Sequence, residues 1–392
     1  MKFIIHGGTL SRSLSSIMGL VGKNNTIPIV ENLLFELQDN TLSITATDLE
    51  TVANVNIELQ NAEAIGISRV CIPGKELYTL VSQLTAYPLT IFVNEDYSID
   101  IKTDAGGQYV FKGLNADDYP QMTNIEDKTE VTIKSSTLVA AINKTLFAAA
   151  TDEFRQQLSG ILCEFSPLGL TFVGTDSHKL VRFRNSSYAT DDERRVILPK
   201  KTLGLISKIL VSLNEDIDVN IENNLSNIAF HFGNYHFTCR LIEGRYPNYE
   251  AAIGNAMPNP ADPSILANVV LVNRNQLLDC VKRISIFCSK ATNQIRFIIT
   301  PKKIMIHAED IDTQNNAHEE VDCDYNSEEE MTIGLTAKYL IEILSNIETE
   351  TVRFDISAPN KPCIVKPYDE ETKDEQTVES ILMLIMPVIL VG

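Results

Sequence analysis

Ser136-Thr-Leu-Val-Ala-Ala-Ile-Asn-Lys-Thr-Leu-Phe-Ala-Ala-Ala150 stands near the head of residues 131–249, the stretch from which the whole chain can be read. The run is helix-like. Three strand-like runs follow it, Gly160-Ile-Leu-Cys-Glu-Phe165, Leu170-Thr-Phe-Val-Gly-Thr-Asp176 and Val181-Arg-Phe183. A second helix-like run, Pro199 to Leu210, precedes alternating runs at Asp218 to Ile221, Asn227 to Phe232 and Tyr235 to Leu241. The stretch closes on Glu243-Gly-Arg-Tyr-Pro-Asn-Tyr249. Its order is helix, strands, helix, strands.

The same order recurs on either side, so an internal repeat decides the fold. Upstream, helices are expected at Leu10 to Val21 and Gly74 to Ala86, with strands at Leu33 to Leu37, Thr41 to Thr47, Thr51 to Ile57, Leu89 to Val93, Ser98 to Thr103 and Gln108 to Gly113. That third ends in Ala116-Asp-Asp-Tyr-Pro120, the counterpart of Gly244-Arg-Tyr-Pro247. Downstream, helices are expected at Arg274 to Ser289 and Thr336 to Asn346, with strands at Ile295 to Thr300, Lys303 to Glu309, Ala317 to Asp324, Thr351 to Ile356, Cys363 to Pro367 and Ser380 to Pro387. Three domain-sized copies, 1–125, 129–253 and 264–392, account for the 392 residues. The class is α+β, each copy having two helices on antiparallel sheets. The joins are a polar stretch at 124–130 and a proline-bearing one at 254–264, both unsuited to regular structure.

Composition bounds the function. The chain is 44% hydrophobic and 22% charged, ordinary for a soluble protein. Neither a signal-peptide core nor an apolar run of membrane-spanning length is present in the sequence, so a cytoplasmic protein without membrane contact is expected. Seven cysteines form no CxxC pair and lie mostly in apolar runs, which predicts buried free thiols. Residues 368–379 carry six acids and one lysine, and read as a mobile hairpin loop.

Net charge is -19, which argues against nucleic acid as a partner. The helices dissent. Residues 10–25, around the first, hold Arg12 and Lys23, 134–151 around the third hold Lys134 and Lys144, and 199–213 around the fourth hold Lys200, Lys201 and Lys208, all without an acid. Residues 273–292 around the fifth hold Arg274, Lys282, Arg283 and Lys290 against Asp279, while 74–87 and 335–347 around the second and sixth are neutral, so the six stretches together reach +10. If equivalent helices share a side, that side is a positive lane for phosphates that ignores base sequence. Lysines on solvated helix faces are the plainer explanation.

Catalytic and metal signals are sparse. Gly7-Gly8-Thr9 and Gly106-Gly107 lack the spacing and lysine of a phosphate loop. His231 and His236 lie five apart across an expected hairpin and would face opposite sides if continuous strand persists, and a metal pair is disfavoured. Thr175-Asp-Ser-His178 puts a hydroxyl, a carboxylate and an imidazole side by side, but neighbours on a tight turn diverge and no nucleophile elbow surrounds them. A turn that presents a binding surface is the better reading.

Asn32-Leu-Leu-Phe-Glu-Leu37 with Leu42-Ser-Ile-Thr-Ala-Thr-Asp-Leu-Glu50, then Thr175-Asp-Ser-His-Lys-Leu180, Glu243-Gly-Arg-Tyr-Pro-Asn-Tyr249 and Ile385-Met-Pro-Val-Ile-Leu390, resemble the bacterial sliding clamps, beta subunits of the replicative DNA polymerase holoenzyme. The resemblance runs from Met1 to Leu390, in register with all three repeats. It implies three tandem DNA-clamp domains forming half of a closed ring, in a head-to-tail homodimer that encircles duplex DNA without sequence specificity. It implies a processivity factor, not an enzyme, with no cofactor or metal. The alternative is a peptide-binding adaptor that never encircles DNA.

By matching positions the resemblance puts DNA contacts at Asn24, Lys75, Asp152, Gln156 and Gln157, within a field from Arg12, Lys23, Lys144, Arg155, Lys200, Lys201, Lys208, Lys282 and Arg283. Asn24 stands where an arginine can occur, and Gln156-Gln157 replace a tyrosine pair of some members. A hydrophobic pocket for short linear motifs of the polymerase catalytic subunit, the clamp loader and repair polymerases maps onto Leu158, Thr175, Ser177, His178, Lys179, Leu180, Pro247, Ala251, Ala252, Pro362, Leu384, Met386, Pro387 and Val388. The family ending Met-Pro-Met-Arg-Leu is here Met-Pro-Val-Ile-Leu, followed by Val391 and Gly392.

Overall fold

The computed structural model describes residues 1–23, 26–63, 66–120, 125–126, 128–224, 226–257, 268–371 and 378–390. The first third runs β1 (Lys2–His6), α1 (Gly7–Ile17), β2 (Asn32–Gln38), β3 (Thr41–Thr47), β4 (Thr51–Glu58), the two-residue β5 (Ala62–Glu63), β6 (Arg69–Pro73), α2 (Gly74–Gln83), β7 (Pro88–Val93), β8 (Ser98–Thr103) and β9 (Gln108–Lys112). The middle third runs β10 (Thr129–Lys134), α3 (Ser135–Leu146), a short α4 (Gln156–Ser159), β11 (Gly160–Ser166), β12 (Gly169–Thr175), β13 (Lys179–Asn185), β14 (Arg194–Pro199), α5 (Lys200–Leu213), β15 (Asp218–Asn223), β16 (Asn227–Phe232) and β17 (Tyr235–Arg240). After α6 (Tyr249–Ala256) come β18 (Asn268–Asn273), α7 (Arg274–Ser285), β19 (Gln294–Ile299), β20 (Lys303–Asp310), β21 (Asn315–Tyr325), β22 (Met331–Thr336), α8 (Ala337–Ser345), β23 (Thr351–Ile356), β24 (Cys363–Tyr368) and β25 (Glu379–Ile385).

The repeat is finer than the sequence reading had it. A strand of five or six residues directly precedes each of the six repeat helices, so the chain is six βαβββ half-units. These strands are hard to see because each runs into its helix without a turn. His6, whose ring nitrogen accepts from Gly8 N at 3.2 Å, and Asn273, whose side chain accepts from Gln276 N at 3.1 Å, cap helices at the last residue of a strand.

Within each copy the half-units exchange these first strands. β1 pairs with β7 and β6 with β2; β10 pairs with β15 and β14 with β11; β18 pairs with β23 and β22 with β19. All pairings are antiparallel. Two further pairings join one copy's sheet to the next, β17 to β4 through Tyr235–Cys239 and β13 to β25 along its whole length.

Two compact units result, Met1–Val139 with Lys201–Leu241, and Ala140–Lys200 with Ile242–Gly392. The first holds a sheet in the order β5-β1-β7-β8-β9 and one of eight strands from β10 to β6. Leu10, Leu14 and Ile17 of α1 and Leu77 and Val81 of α2 are buried there, at the four- and three-residue spacing of one helix face. The second unit holds a twelve-stranded sheet from β14 to β22. Leu277, Val281 and Ile284 of α7, with Leu340, Ile343 and Leu344 of α8, pack there against Ile295, Phe297, Ile304 and Ile306.

The paired Tyr-Pro strings do the same job. The Tyr119 hydroxyl donates to Thr45 O at 3.2 Å, and the Tyr246 hydroxyl donates to Val173 O at 3.0 Å. Thr45 and Val173 each stand two residues before the end of an equivalent strand. Burial raises both phenols above the usual range. Of the expected loop at 368–379, β24 and β25 form the two arms, and 372–377 lie outside the described residues.

Candidate functional site

Thr175 to Lys179 form a tight turn whose geometry has a twin. The Thr175 hydroxyl donates to Lys179 O at 2.7 Å and accepts from Ser177 N at 3.1 Å, while Asp176 Oδ1 accepts from the backbone N–H groups of His178 and Lys179, both at 2.9 Å. Ser177 has φ of +78°. In the first copy Thr47, Asp48, Leu49 and Thr51 make the same bonds, with Leu49 also at +78°. Threonine and aspartate are therefore spent on holding the turn. A nucleophile–base arrangement does not form, since Asp176 accepts backbone protons and Ser177 Oγ accepts from Arg155 Nη1 at 3.0 Å.

What differs between the twins is the closing residue, Thr51 in the first copy and Lys179 here. Lys179 is 5% exposed and places Nζ 2.6 Å from Asp176 and 2.9 Å from Glu342 of α8, and 4.6 Å from the Tyr339 ring centroid. Burial alone would lower its pKa; the two carboxylates outweigh burial and raise it. His178 stacks on the same Tyr339 ring, centroids 5.6 Å apart, and its carbonyl accepts from Met386 N at 2.8 Å. The turn is thus fixed to α8 and to the terminal segment.

Strand register assembles the rest of the expected pocket. Leu180 lies opposite Thr175 on β12 and Leu384 on β25. Leu180 and Leu384 belong to a buried apolar cluster with Leu162, Val173, Ile197, Tyr246, Tyr249, Ile253, Ile364 and Leu382. Leu158 is buried, and its carbonyl accepts from Ala150 N at 2.8 Å, closing the loop that carries Asp152 to Gln157. Val388 N donates to Gly334 O at 2.9 Å, adding the terminal segment to the edge of β22. Gly334 is required there, since a Cβ would stand 2.6 Å from Val388 O.

Pro362 and Pro387 are half-buried, and Pro247 is exposed. Of α6, Ala251 is exposed and Ala252 half-buried; the side chains this helix sends into the cluster are Tyr249, Ile253 and Ala256. The sequence reading did not name Tyr339, Glu342, Tyr249 or Ile253 as site residues, and apolar helix spacing in the last two was the available signal. Cavities of about 600 Å³, lined by Arg296, His307 and His318 among others, and about 400 Å³, lined by Asp322 and Tyr368 among others, lie elsewhere in this unit and include no residue of the expected pocket.

The basic residues divide into committed and uncommitted. Lys144 lies 3.6 Å from Glu348, Arg155 3.3 Å from Asp152, and Arg283 makes a two-pronged contact with Glu319 at 3.0 and 2.6 Å; Lys201 pairs with Asp48. Lys200 is half-buried, and burial lowers its pKa, followed by the nearby Lys179 charge. Arg12, Lys23, Lys75, Lys208 and Lys282 are exposed and make no ion pair with another described residue. Asp152 caps a short turn by accepting from Phe154 N at 2.9 Å; Gln156 is exposed and Gln157 half-buried. Phe154 beside them is 98% exposed. Asn24 lies outside the described residues.

The hairpin expected at the two histidines forms, and it brings their rings together. His231 and His236 are opposed across the β16–β17 hairpin and share a face, with Nδ1 atoms 2.6 Å apart. A two-residue turn at Gly233-Asn234 reflects the chain, so the parity of a single strand does not apply. Among the described residues no group of three His, Cys, Asp or Glu could hold a metal. The cysteines are free, Cys323 half-buried and the rest buried. No described helix is long and apolar enough to cross a membrane.

Three family models match the chain in tandem. They describe the DNA polymerase III beta subunit, its N-terminal domain over residues 1–123, its central domain over 132–248 and its C-terminal domain over 262–383. The beta sliding clamp of Pseudomonas aeruginosa is 27% identical over 372 residues, covering 95% of this chain and 97% of that protein. The beta sliding clamp of Synechococcus elongatus is 25% identical over 378 residues, covering 94% and 96%. Among solved structures, the DNA polymerase III subunit beta from Pseudomonas aeruginosa has a TM-score of 0.88 at 27% identity, covering 100% of both chains. A sliding clamp from Bartonella birtlesii bound to griselimycin has a TM-score of 0.87 at 24% identity, also covering 100% of both, and shows the fold.

Proposed function

This chain belongs to the DNA polymerase III beta subunit family of bacterial sliding clamps, and on that premise we propose how it works. Two copies close head to tail into a ring around duplex DNA. The ring is a processivity factor: it slides, and it tethers the replicative polymerase, the clamp loader and repair polymerases by short linear motifs. It catalyses no reaction. Tandem matches to the three family domains carry this reading, and the working domains are 1–125, 129–253 and 264–392.

Repetition suggests where the ring closes. Within one protomer β17 continues β4 and β25 continues β13. The remaining strands of those two kinds are β9, bonded to β8 alone, and β21, which pairs with β18 only at Cys323–Tyr325. β9 of one protomer then continues β21 of its partner. In that register Tyr109 and Phe111, half-buried on β9, meet the side of β21 that α7 covers. There Ile286, 78% exposed just past α7, and the exposed Phe287 supply apolar area.

Retention by topology removes the need for strong DNA affinity. Arg12, Lys23, Lys75, Lys208 and Lys282 supply a diffuse attraction to phosphates, which positions the duplex without reading it. The groove of Leu158, Thr175, Leu180, Leu384 and Met386 takes the motifs, its one methionine adapting to several. Negative-stain imaging of the purified protein at near-physiological salt tests the reading. A two-chain closed ring is expected. Isolated crescents at every concentration would refute it in favour of the adaptor.

A further inference from the structure

Three basic side chains stand in one row along the cavity of about 600 Å³. Strand register sets the row: Arg296 of β19 lies opposite His307 of β20, and His307 lies opposite His318 of β21. Opposed residues share a sheet face. Here it is the face turned away from α7, because Ile306 and Ala308, on either side of His307, pack with that helix in the core. The two imidazoles stack with centroids 5.5 Å apart. None of the three side chains makes a hydrogen bond or ion pair with another described residue. Burial lowers the His307 pKa, followed by the charges of His318 and Arg296, so both charges acting on this ring are cationic. Carboxylates stand at the margin. Glu309 is one row along, opposite Asn316; Asp310 accepts from Asp312 N at 3.1 Å in the turn after β20; and Glu320, two residues beyond His318, pairs with Lys303. β22 brings only Gly334 opposite Arg296, and the rest of the wall is uncharged, with Ile298, Ile311 and Leu390 as its apolar part.

A guanidinium in line with two imidazoles offers a planar fork beside two ring N–H donors, a set that matches the oxygens of a phosphate. A dianion also lowers the cost of charging two stacked imidazoles at once. We propose that this row is a binding site for small phosphate monoesters, with the phosphoryl group on Arg296, His307 and His318 and the organic part against Ile311 and Leu390. Ile311 is 81% exposed, so such a ligand covers apolar surface as well as meeting charge. Binding is strongest when the histidines are protonated, and by linkage the ligand raises their pKa in turn. The site is separate from the peptide groove and does not depend on it.

The test is NMR of the full chain, carbon-labelled in the histidine rings, titrated with phenyl phosphate at constant ionic strength. Titrations at about pH 6.5 and about pH 8 keep the ligand mostly dianionic, since its second pKa is about 6. Of the six histidines, the two whose signals are assigned by His307→Gln and His318→Gln should move together and saturate. Affinity should be about threefold tighter or more at the lower pH. Arg296→Gln should weaken binding by about tenfold at both pH values, as for a lost charged hydrogen bond; Arg296→Lys should weaken it less, being a point charge without the fork. The double histidine variant should bind equally at both pH values. Inorganic phosphate should move the same signals with lower affinity, having no organic part. Melting temperatures check that the variants fold, and Arg296→Lys carries the test if Arg296→Gln does not. Shifts that never saturate, shifts confined to other histidines, or an affinity unchanged by the Arg296 variants overturn the inference. Benzoate bound as tightly as phenyl phosphate overturns the assignment to phosphate.

Discussion

Lys179 is the residue whose removal should be felt most directly. Lys179→Met keeps the stem's volume but deletes both ion pairs and the contact with the Tyr339 ring. Asp176 is 15% exposed and keeps two backbone donors, and Glu342 is 31% exposed although its Oε2, the atom that meets Nζ, is buried, so one carboxylate oxygen is stranded and not two whole carboxylates. The loss therefore falls below the full penalty for an orphaned buried charge, at ~2 to 3 kcal/mol. Glu342→Gln leaves the Asp176 bond intact and should cost ~1 kcal/mol. If the pair is real, the double variant will fall short of additivity by ~1 kcal/mol. Urea denaturation at fixed protomer concentration reads these values, with hydrogen exchange in 140–200 and 242–392 assigning the transition to the unit that contains the pair. The pH sign is also fixed. A raised lysine pKa contributes stability that is complete below the unfolded value of about 10.5 and is lost as pH rises through the folded value. The parent should weaken in that alkaline window and Lys179→Met should not. Full additivity, or a Lys179→Met protein as stable as the parent, would refute the argument.

Ile286→Lys with Phe287→Lys should weaken the dimer by about tenfold or more, read by sedimentation velocity, while the melting of the dissociated chain stays unchanged. His236 has its pKa lowered, by burial first and then by His231, so its contribution to stability is present above the unfolded value near 6.5 and is lost as pH falls through the folded one. Thermal melts between pH 7.5 and 5 should show a decline in the parent that His236→Gln flattens. Gly334→Ala forces Val388 off the edge of β22 and should cost only ~1 kcal/mol of stability but weaken peptide binding, because Met386 lies on the displaced segment.

The sequence made most of this architecture legible because repetition multiplies weak signals. Runs such as Thr41–Thr47 and Ser98–Thr103 were bounded by turn residues and matched the strands end to end. The strands before the helices were missed for the opposite reason: Arg69-Val-Cys-Ile-Pro73 passes straight into Gly74 with no punctuation between the two periods. The candidate site was legible where it sits in strands, as at Leu180 and Leu384. Long-range electrostatic partners were not, since nothing near Lys179 in sequence announces Glu342. The same holds for two other basic residues: Arg283 and Lys201 looked like free lane charges until Glu319 and Asp48 came beside them.

The exchanged first strands also set a clock on synthesis. β1 leaves the ribosome first, yet its partner β7 follows roughly 90 residues later, which at about 5–20 residues per second leaves an apolar strand unmatched for several seconds. β4 and β13 wait longer still, until β17 and β25 emerge. The nascent chain therefore carries open edges through most of its translation. Its yield in the cell should depend on holdase chaperones to a degree that the stability of the finished protein does not reveal.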